Sequence, residues 1–376
     1  MHPPFSKMSL LLVKALKFAV ARGYKPRVEA SPNVVAVTLS AEPYRSDLAV
    51  ILPTYIERCT SATHAEAISD LLAHVSRFAG GAERRTVGLI VAMQHSPDDL
   101  PRAQAHVDEI LRALDPKQRA QVKMLLLDVH SKVAALNASM GLLRSWGHAG
   151  LVGWVDDDVE LAPEALLRMA EYLTNNASVQ VVGAAKKPVA NQQKSARVFH
   201  NIKLIVKATG RPHPHGCALL GRMEALGDGI PQRYLGEDGY IALSLFDETA
   251  ADPLWRMAIV PDAYCTHVVG GPFGQIWMRV RRTLYENAVL LADFPLERSA
   301  RFADTCLFHG LVRRPGAAPS RLANRLLQGL MLMGYWRVAW SLTWRGLLGN
   351  PLRRISWSAY HVHTRPSTAL SAADAG

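Results

Sequence analysis

Acidic residues are almost missing from the two ends of this 376-residue chain. No Asp or Glu occurs between Met1 and Arg27, a stretch with six Lys or Arg; from Thr305 to Gly376 nine Arg face one acid, Asp374. The ends therefore carry +6 and +8, while residues 28–304 hold 28 basic and 31 acidic residues, a net −3. Despite an overall charge of +11, this distribution argues against a non-enzymatic nucleic-acid binder, which needs a basic groove along its folded body. Cysteine is scarce. Cys59, Cys217, Cys265 and Cys306 are scattered with no short metal-type pair, which suits ordinary thiols in a reducing compartment. A clean apolar leader is missing too. The stretch from Met8 to Ala21 is broken by Lys14 and Lys17 and no small-residue cleavage site follows, so a cytoplasmic location is expected.

Between the basic ends, apolar runs and helical periodicities alternate. Residues 1–45 read as a basic N-terminal extension, with a short amphipathic helix up to about Arg27 and a Pro-containing linker. Leu48–Leu52, Thr86–Met93, Val122–Val129 and Leu151–Val155 are short apolar runs suited to buried parallel strands. The segments Thr60–Phe78, Leu100–Leu114 and His130–Ser145 carry helical spacing between them. The alternation predicts an α/β, Rossmann-like, mostly parallel sheet with helices on both faces over residues 46–304. In such sheets ligands bind beyond the carboxyl ends of the strands.

At one such end stands Asp156-Asp157-Asp158, followed by Pro163 and Glu164, which suit the first turn of a helix. Three adjacent carboxylates repel one another. A solvated acidic turn is one reading; a divalent cation with hard oxygen ligands, Mg2+ or Mn2+, is the other, and the strand-end position favours it.

Four further segments keep order with this cluster: Val50-Ile-Leu-Pro-Thr-Tyr-Ile-Glu57, Ser131-Lys-Val-Ala-Ala-Leu-Asn-Ala138, Gly216-Cys-Ala-Leu-Leu-Gly-Arg222 and Leu235-Gly-Glu-Asp-Gly-Tyr-Ile-Ala242. Together the five resemble family 2 glycosyltransferases of the GT-A fold, over about Asp47 to Asn287. Ile56 stands where that family usually has Asn, and the second strand exits through Val91-Ala-Met-Gln-His-Ser-Pro-Asp-Asp99 rather than an Asp-rich turn. The QxxRW signature of processive members is absent, Gln275-Ile-Trp-Met-Arg279 having its ingredients at another spacing. A single sugar transfer is therefore expected.

The resemblance implies an inverting transfer from a nucleotide-sugar donor, with Mn2+ or Mg2+ neutralising the leaving diphosphate. It makes Asp156 and Asp158 the metal ligands and leaves Asp157 facing ribose or solvent. Pro53, Tyr55 and Glu57 belong to the implied nucleotide-binding strand. Asp238 is the implied base, with Glu237 as neighbour or substitute, although Glu-Asp before Tyr240 would equally cap a helix. Arg279, Arg281 and Arg282 follow the Gly-rich turn Gly270–Gly274 and could clamp phosphate. His267 is a third metal or phosphate contact or a structural histidine; Lys132 is a phosphate contact or a surface lysine. His213-Pro-His215 lacks metal-ligand spacing and is expected to shape an acceptor loop.

Residues 305–365 read as a basic, Trp-rich helical tail, and residues 366–376 as disordered. The apolar stretch Leu326–Leu348 is long enough to span a bilayer, but Arg337 and Arg345 interrupt it, and Trp336, Trp340 and Trp344 recur every four residues. A helix lying on an anionic membrane fits better than a spanning one, with packing on the catalytic domain as the other option. The expected protein is thus peripheral to the inner membrane face, with a lipid-linked or saccharide acceptor and no nucleic acid. A nucleotidyltransferase would share the sheet and metal but needs a Gly-rich phosphate loop after the first strand, where Pro53-Thr54-Tyr55 stands.

Overall fold

The computed structural model describes residues 6–26, 32–36, 46–79, 86–190, 213–269, 273–312 and 319–353. The expected disordered tail and most of the Gly270–Gly274 turn lie outside the described residues.

One mixed sheet organises the chain. Its strands are β1 (Val34–Ala36), β2 (Leu48–Tyr55), β3 (Val87–Gln94), β4 (Val122–Leu127), β5 (Leu151–Val155), β6 (Val159–Leu161), β7 (Val181–Ala190), β8 (Ala218–Arg222) and β9 (Met257–Val269), in the order β1-β4-β3-β2-β5-β8-β7-β9-β6. The centre, β4-β3-β2-β5, is parallel throughout. Beyond it β8 runs antiparallel to both β5 and β7, and β7 pairs β9 in parallel. The parallel alternation read from the sequence is this centre; the mixed half follows the acidic cluster. The linker expected between the N-terminal helix and the sheet contributes the short edge strand β1, antiparallel to β4.

The helices of seven residues or more are α1 (Lys7–Gly23), α2 (Ser61–Ala79), α3 (Leu100–Ala113), α4 (Lys132–Ser145), α5 (Ala165–Asn175), α6 (Glu237–Leu245), α7 (Phe273–Asp293), α8 (Leu296–Phe302) and α9 (Pro319–Leu347) among the described residues. Alternate residues of a strand face opposite sides, and β2 shows this directly. Leu48, Val50 and Leu52 pack into a core with α2, α3 and α5, while Ala49 and Ile51 face a second core with α4, α6, α7 and both basic ends.

The two basic ends are built into that second core. Leu12, Leu16 and Val20 of α1 pack with Tyr335, Val338 and Leu342 of α9. The helices touch backbone to backbone: a Cβ on Gly23 would fall 1.8 Å from the Leu342 carbonyl oxygen, and one on Gly346 2.7 Å from that of Arg22. Beyond the helices, Leu352 N–H donates to the Gly23 carbonyl and Lys25 N–H to that of Leu352.

Two local departures from the sequence reading have clear causes. The first strand runs through Pro53 to Tyr55, because its pairing with β5 stops at Ile51↔Trp154. From Pro53 onward one side of β2 is open, where a residue without an N–H is tolerated. Pro163 lies before the helix it was expected to open. The strand β6 intervenes to pair with β9, Glu164 turns the chain with φ of 65°, and α5 starts at Ala165.

Candidate active site

The crevice between β2 and β5 is the point where the connections diverge, one leading to β3 and β4 and the other across the mixed half. Ligands gather at such a switch point. Asp156 leaves β5 here, its N–H donating to the Cys217 carbonyl at 2.9 Å. Because β8 is antiparallel to β5, with Val155 opposite Ala218, the segment before β8 arrives at this strand end.

Gly216 is the pivot of the arrangement. Its carbonyl accepts from Lys132 Nζ at 2.9 Å and from the Trp154 indole at 3.0 Å, and its N–H donates to Asp238 Oδ2 at 3.1 Å. A Cβ here would lie 2.0 Å from Glu237 Oε1. Only glycine lets α6 bring both its acids against β5.

Lys132 is buried rather than a surface lysine. Ser131 caps α4 by accepting from Ala134 N–H, and Ser131 N–H donates to Gln94 Oε1 at 2.7 Å, which fixes where the next residue points. The ammonium of Lys132 lies 2.5 Å from Asp156 Oδ1 and 2.5 Å from Glu237 Oε1. With the Gly216 carbonyl, those contacts use all three of its protons. Burial favours its neutral form, but the two carboxylates outweigh that and raise its pKa.

One ammonium cannot neutralise every acid around it. Burial is the largest influence on Asp156 and raises its pKa; Lys132 opposes, and Asp158 and Asp157 add to the rise. Glu237, also pushed up mainly by burial, titrates at about 7. Its folded value thus exceeds the ordinary glutamate value of 4.5, so the folded state holds the extra proton. Its contribution to stability is fully present below the unfolded pKa and is lost as pH rises through about 7. We expect Glu237→Gln to flatten a decline in stability between about pH 5 and 7, by at most roughly 1.4 kcal/mol per pH unit. Denaturant titrations across that range would show it; identical slopes in both proteins would refute the assignment.

Asp238 does not cap α6: its Oδ1 accepts from the adjacent Gly239 N–H, and no side-chain bond closes the helix start. Burial raises its pKa, but His213, His215, Lys186 and the Gly216 N–H together hold it well below the usual carboxylate range. It stays ionised. Lys186 of β7 therefore belongs to the electrostatics of the site, acting on both Asp238 and Asp156. No motif marked it in the sequence. Cys217 and Cys265, far apart in the chain, lie with their sulfurs 3.5 Å apart.

Asp157 does not face solvent. It turns inward, 6% exposed, and accepts from the Thr54 hydroxyl. Thr54 Oγ1 lies 2.7 Å from His64 Nε2, and His64 Nδ1 lies 2.8 Å from His106 Nε2. The middle acid of the cluster thus anchors the turn to α2 and α3, leaving Asp156 and Asp158 half-exposed on either side.

Asp158 immediately precedes Val159, whose cross-strand partner is His267. That register brings an imidazole-bearing residue beside the acidic turn. The surplus negative charge around Asp156 is what a divalent cation would relieve. A half-exposed carboxylate beside a histidine fits a hard ion that keeps places for phosphate oxygens.

The other expected contacts spread along the rim. Tyr55 is buried, with His130 at 5.4 Å ring to ring and Arg58 over its face; burial pushes its phenol up to about 12. Glu57 Oε1 meets Ser96 Oγ at 3.3 Å and His130 Nε2 at 3.6 Å. Arg282 pairs with Glu286 one helical turn on, at 3.0 Å, and Arg279 lies half-exposed on the same helix.

No protein-family model and no curated protein matches the chain. Among solved structures it is similar to a mannosyltransferase from Pyrobaculum calidifontis in complex with GDP-Man and Mn2+, at 19% identity and a TM-score of 0.46, over 91% of this chain and 94% of that one. It is also similar to glucosyl-3-phosphoglycerate synthase from Mycobacterium tuberculosis, in complex with Mn2+, UDP and phosphoglyceric acid, at 17% identity and a TM-score of 0.39, over 78% of this chain and 85% of that one. S. aureus TarS, residues 1–349, is similar at 15% identity and a TM-score of 0.37, over 81% of this chain and 92% of that one. Likeness at this level extends to no individual residue.

Proposed function

We propose that the chain is an inverting, metal-dependent glycosyltransferase that moves one sugar from a nucleotide-diphosphate donor to an acceptor hydroxyl. The observation that supports it most is the pairing of two acidic groups across Gly216. One is the Asp156–Asp158 turn with its surplus negative charge; the other is the ionised Asp238.

In this reading Asp158 and His267 hold the ion, with Asp156 beside them. When bound, a divalent ion neutralises charge developing on the leaving diphosphate. Lys132 keeps Asp156 and Glu237 in place rather than touching donor. Asp238 accepts the acceptor proton as the acceptor oxygen bonds to the anomeric carbon and the bond to diphosphate breaks. A single displacement inverts that carbon. Pro53, Tyr55 and Glu57 line the nucleotide side, and Arg279 and Arg282 approach the phosphates.

A nucleotide-sugar screen by thermal shift, with and without Mn2+, tests the reading. We expect one donor to stabilise the wild type in a Mn2+-dependent way, and Asp158→Ala to lose most of that shift. No stabilisation by any donor, or an undiminished shift in Asp158→Ala, would remove its basis.

The acceptor is proposed to be lipid-linked or a saccharide, met at an anionic membrane on the cytoplasmic side. No helix among the described residues is long and apolar enough to cross a membrane. The support for surface binding is α9, which is apolar on two opposite faces. Tyr335, Val338, Ala339 and Leu342 are buried, while Leu322, Leu326, Leu330, Met333, Trp336, Trp340, Trp344 and Leu347 are exposed. At about 100° per residue the two sets centre roughly 180° apart. Exposed Leu11 and Phe18 of α1 are interleaved with exposed Lys7, Lys14 and Arg22. An apolar stripe beside cations suits the headgroup region. The double variant Leu330→Glu, Trp340→Glu is expected to bind phosphatidylglycerol vesicles at least about tenfold more weakly, since each lost anchor is worth about 2 kcal/mol. Equal co-sedimentation of variant and wild type would rule this surface out.

A further inference from the structure

The loop entering β8 brings two histidines, which the proposed transfer step does not use, to the Asp238 carboxylate. One ligand atom each from His213, His215 and Asp238 lies within 4.8 Å of the others. The sequence spacing did not suggest this, because the third member comes from α6.

Each member is held in a way that suits coordination. His213 Nδ1 lies 2.8 Å from the Pro214 carbonyl. A carbonyl can only accept, so Nδ1 carries the proton and Nε2 keeps its lone pair. Histidine ligands of metals are commonly fixed in their tautomer by such a bond. The His213 ring stacks on Phe302 at 5.8 Å, which sets its plane. Pro214 between the two histidines is buried, and lies so close to β7 that a Cβ on Gly183 would be 3.0 Å from its own. His215 Nδ1 stands 4.0 Å from Asp238 Oδ2, beyond a direct hydrogen bond. Each Asp238 oxygen accepts one backbone N–H, at 3.1 and 2.8 Å, which leaves lone pairs on both. All three side chains are half-exposed, so an ion can reach them.

We propose that His213, His215 and Asp238 form a binding site for a borderline divalent ion of the zinc class, and that its occupancy inhibits the enzyme by engaging the Asp238 carboxylate. Two imidazoles and one carboxylate with an open fourth position are a donor set for Zn2+ or Co2+. The Asp158 turn is richer in oxygen and suits Mn2+ or Mg2+. One chain would thus sort two ions by donor type. An ion on Asp238 ties up the lone pair that would accept the acceptor proton. The binding stands independently of the glycosyltransferase reading; the inhibition rests on it.

The test uses the full chain stripped of metal. Co2+ titration should produce intense visible d–d bands of a low-coordinate site, and Zn2+ should bleach them stoichiometrically. Zn2+ affinity, measured by competition with a chromophoric chelator, should fall about tenfold or more in His213→Gln and in His215→Gln. It should change less than about twofold in Asp158→Ala, which touches none of the three donors. Both histidine variants should melt at the wild-type temperature in EDTA, so that weaker binding is not lost folding. At the measured affinity, Zn2+ should suppress Mn2+-supported transfer by the wild type, and should remove a smaller fraction of the zinc-free rate of His215→Gln, each protein being compared with itself. Zn2+ binding that is equal in wild type and both histidine variants, or that disappears in Asp158→Ala, would overturn the site. Binding as predicted without suppression of transfer would overturn the inhibition. Should no donor prove a substrate, the glycosyltransferase reading fails while the cobalt and zinc measurements still decide the site.

Discussion

Lys132→Met should destabilise the protein by about 3–5 kcal/mol at neutral pH, the usual cost of leaving buried charge without its partner. The reason is that Lys132 is in direct contact with both acids. Its side chain is 10% exposed, that of Glu237 only 6%, and both ion-pair distances are 2.5 Å. Without the ammonium, the buried Glu237 and the partly exposed Asp156 must either take up protons or repel each other. Their folded pKa values would rise further above the unfolded ones. The sign follows: the penalty is complete above the raised values and fades as pH falls toward the ordinary carboxylate range. Melting temperatures of Lys132→Met should therefore approach the wild type near pH 5 and diverge at pH 8. Adding Glu237→Gln should restore part of the loss, because only one buried carboxylate then lacks a cation. A melting temperature unaffected by Lys132→Met at both pH values would show that the pairings contribute nothing to the fold.

Asp238→Asn is expected to reduce kcat by about 10²–10⁴, the range for losing a positioned general base, with little change in donor affinity. The amide oxygen can keep one of the two contacts with the Gly216 and Gly239 N–H groups, while its NH2 turns to the other, so melting temperature is measured beside kcat to separate lost chemistry from a shifted loop. What it lacks is a site for the acceptor proton. Asp158→Ala should behave differently, losing the Mn2+-dependent donor shift along with transfer. The two variants therefore divide the site into a donor half and an acceptor half. Steady-state kinetics together with the anomeric configuration of the product would check the division. Transfer by Asp238→Asn at near wild-type kcat, or a product of retained configuration, would move the base elsewhere.

Much of the central sheet is legible in residue order because strand and helix periodicities are local. The runs at Leu48, Thr86, Val122 and Leu151 and the helices between them lie where apolar spacing puts them. Parallel strands must then share one carboxyl end, which is why the acids after Val155 were worth inspecting. Residues 216 and 238 could be singled out as motifs, but nothing in their spacing states that Gly216 N–H meets Asp238. That contact requires β8 to run antiparallel beside β5 and α6 to pack against its entry.

The basic ends show the same division. Their charge and the four-residue spacing of Trp336, Trp340 and Trp344 are plain in the sequence. Both membrane contact and core packing were open for that helix. In the folded chain the tryptophans are exposed, while a different stripe, centred on Tyr335 and Leu342, is buried against the rest of the protein. Periodicity locates a face; only packing says what covers it.

The sequence by itself determined the parallel centre of the sheet, the acidic strand end and the near absence of acid at the termini, since each depends on neighbours along the chain. Tertiary structure decided the roles within the site. It turned Asp157 inward to Thr54, committed all three protons of Lys132, and brought Lys186 and the His213–His215 pair to Asp238. Those outcomes depend on charge and hydrogen-bond balance between residues 23 to 105 positions apart, which no local pattern encodes.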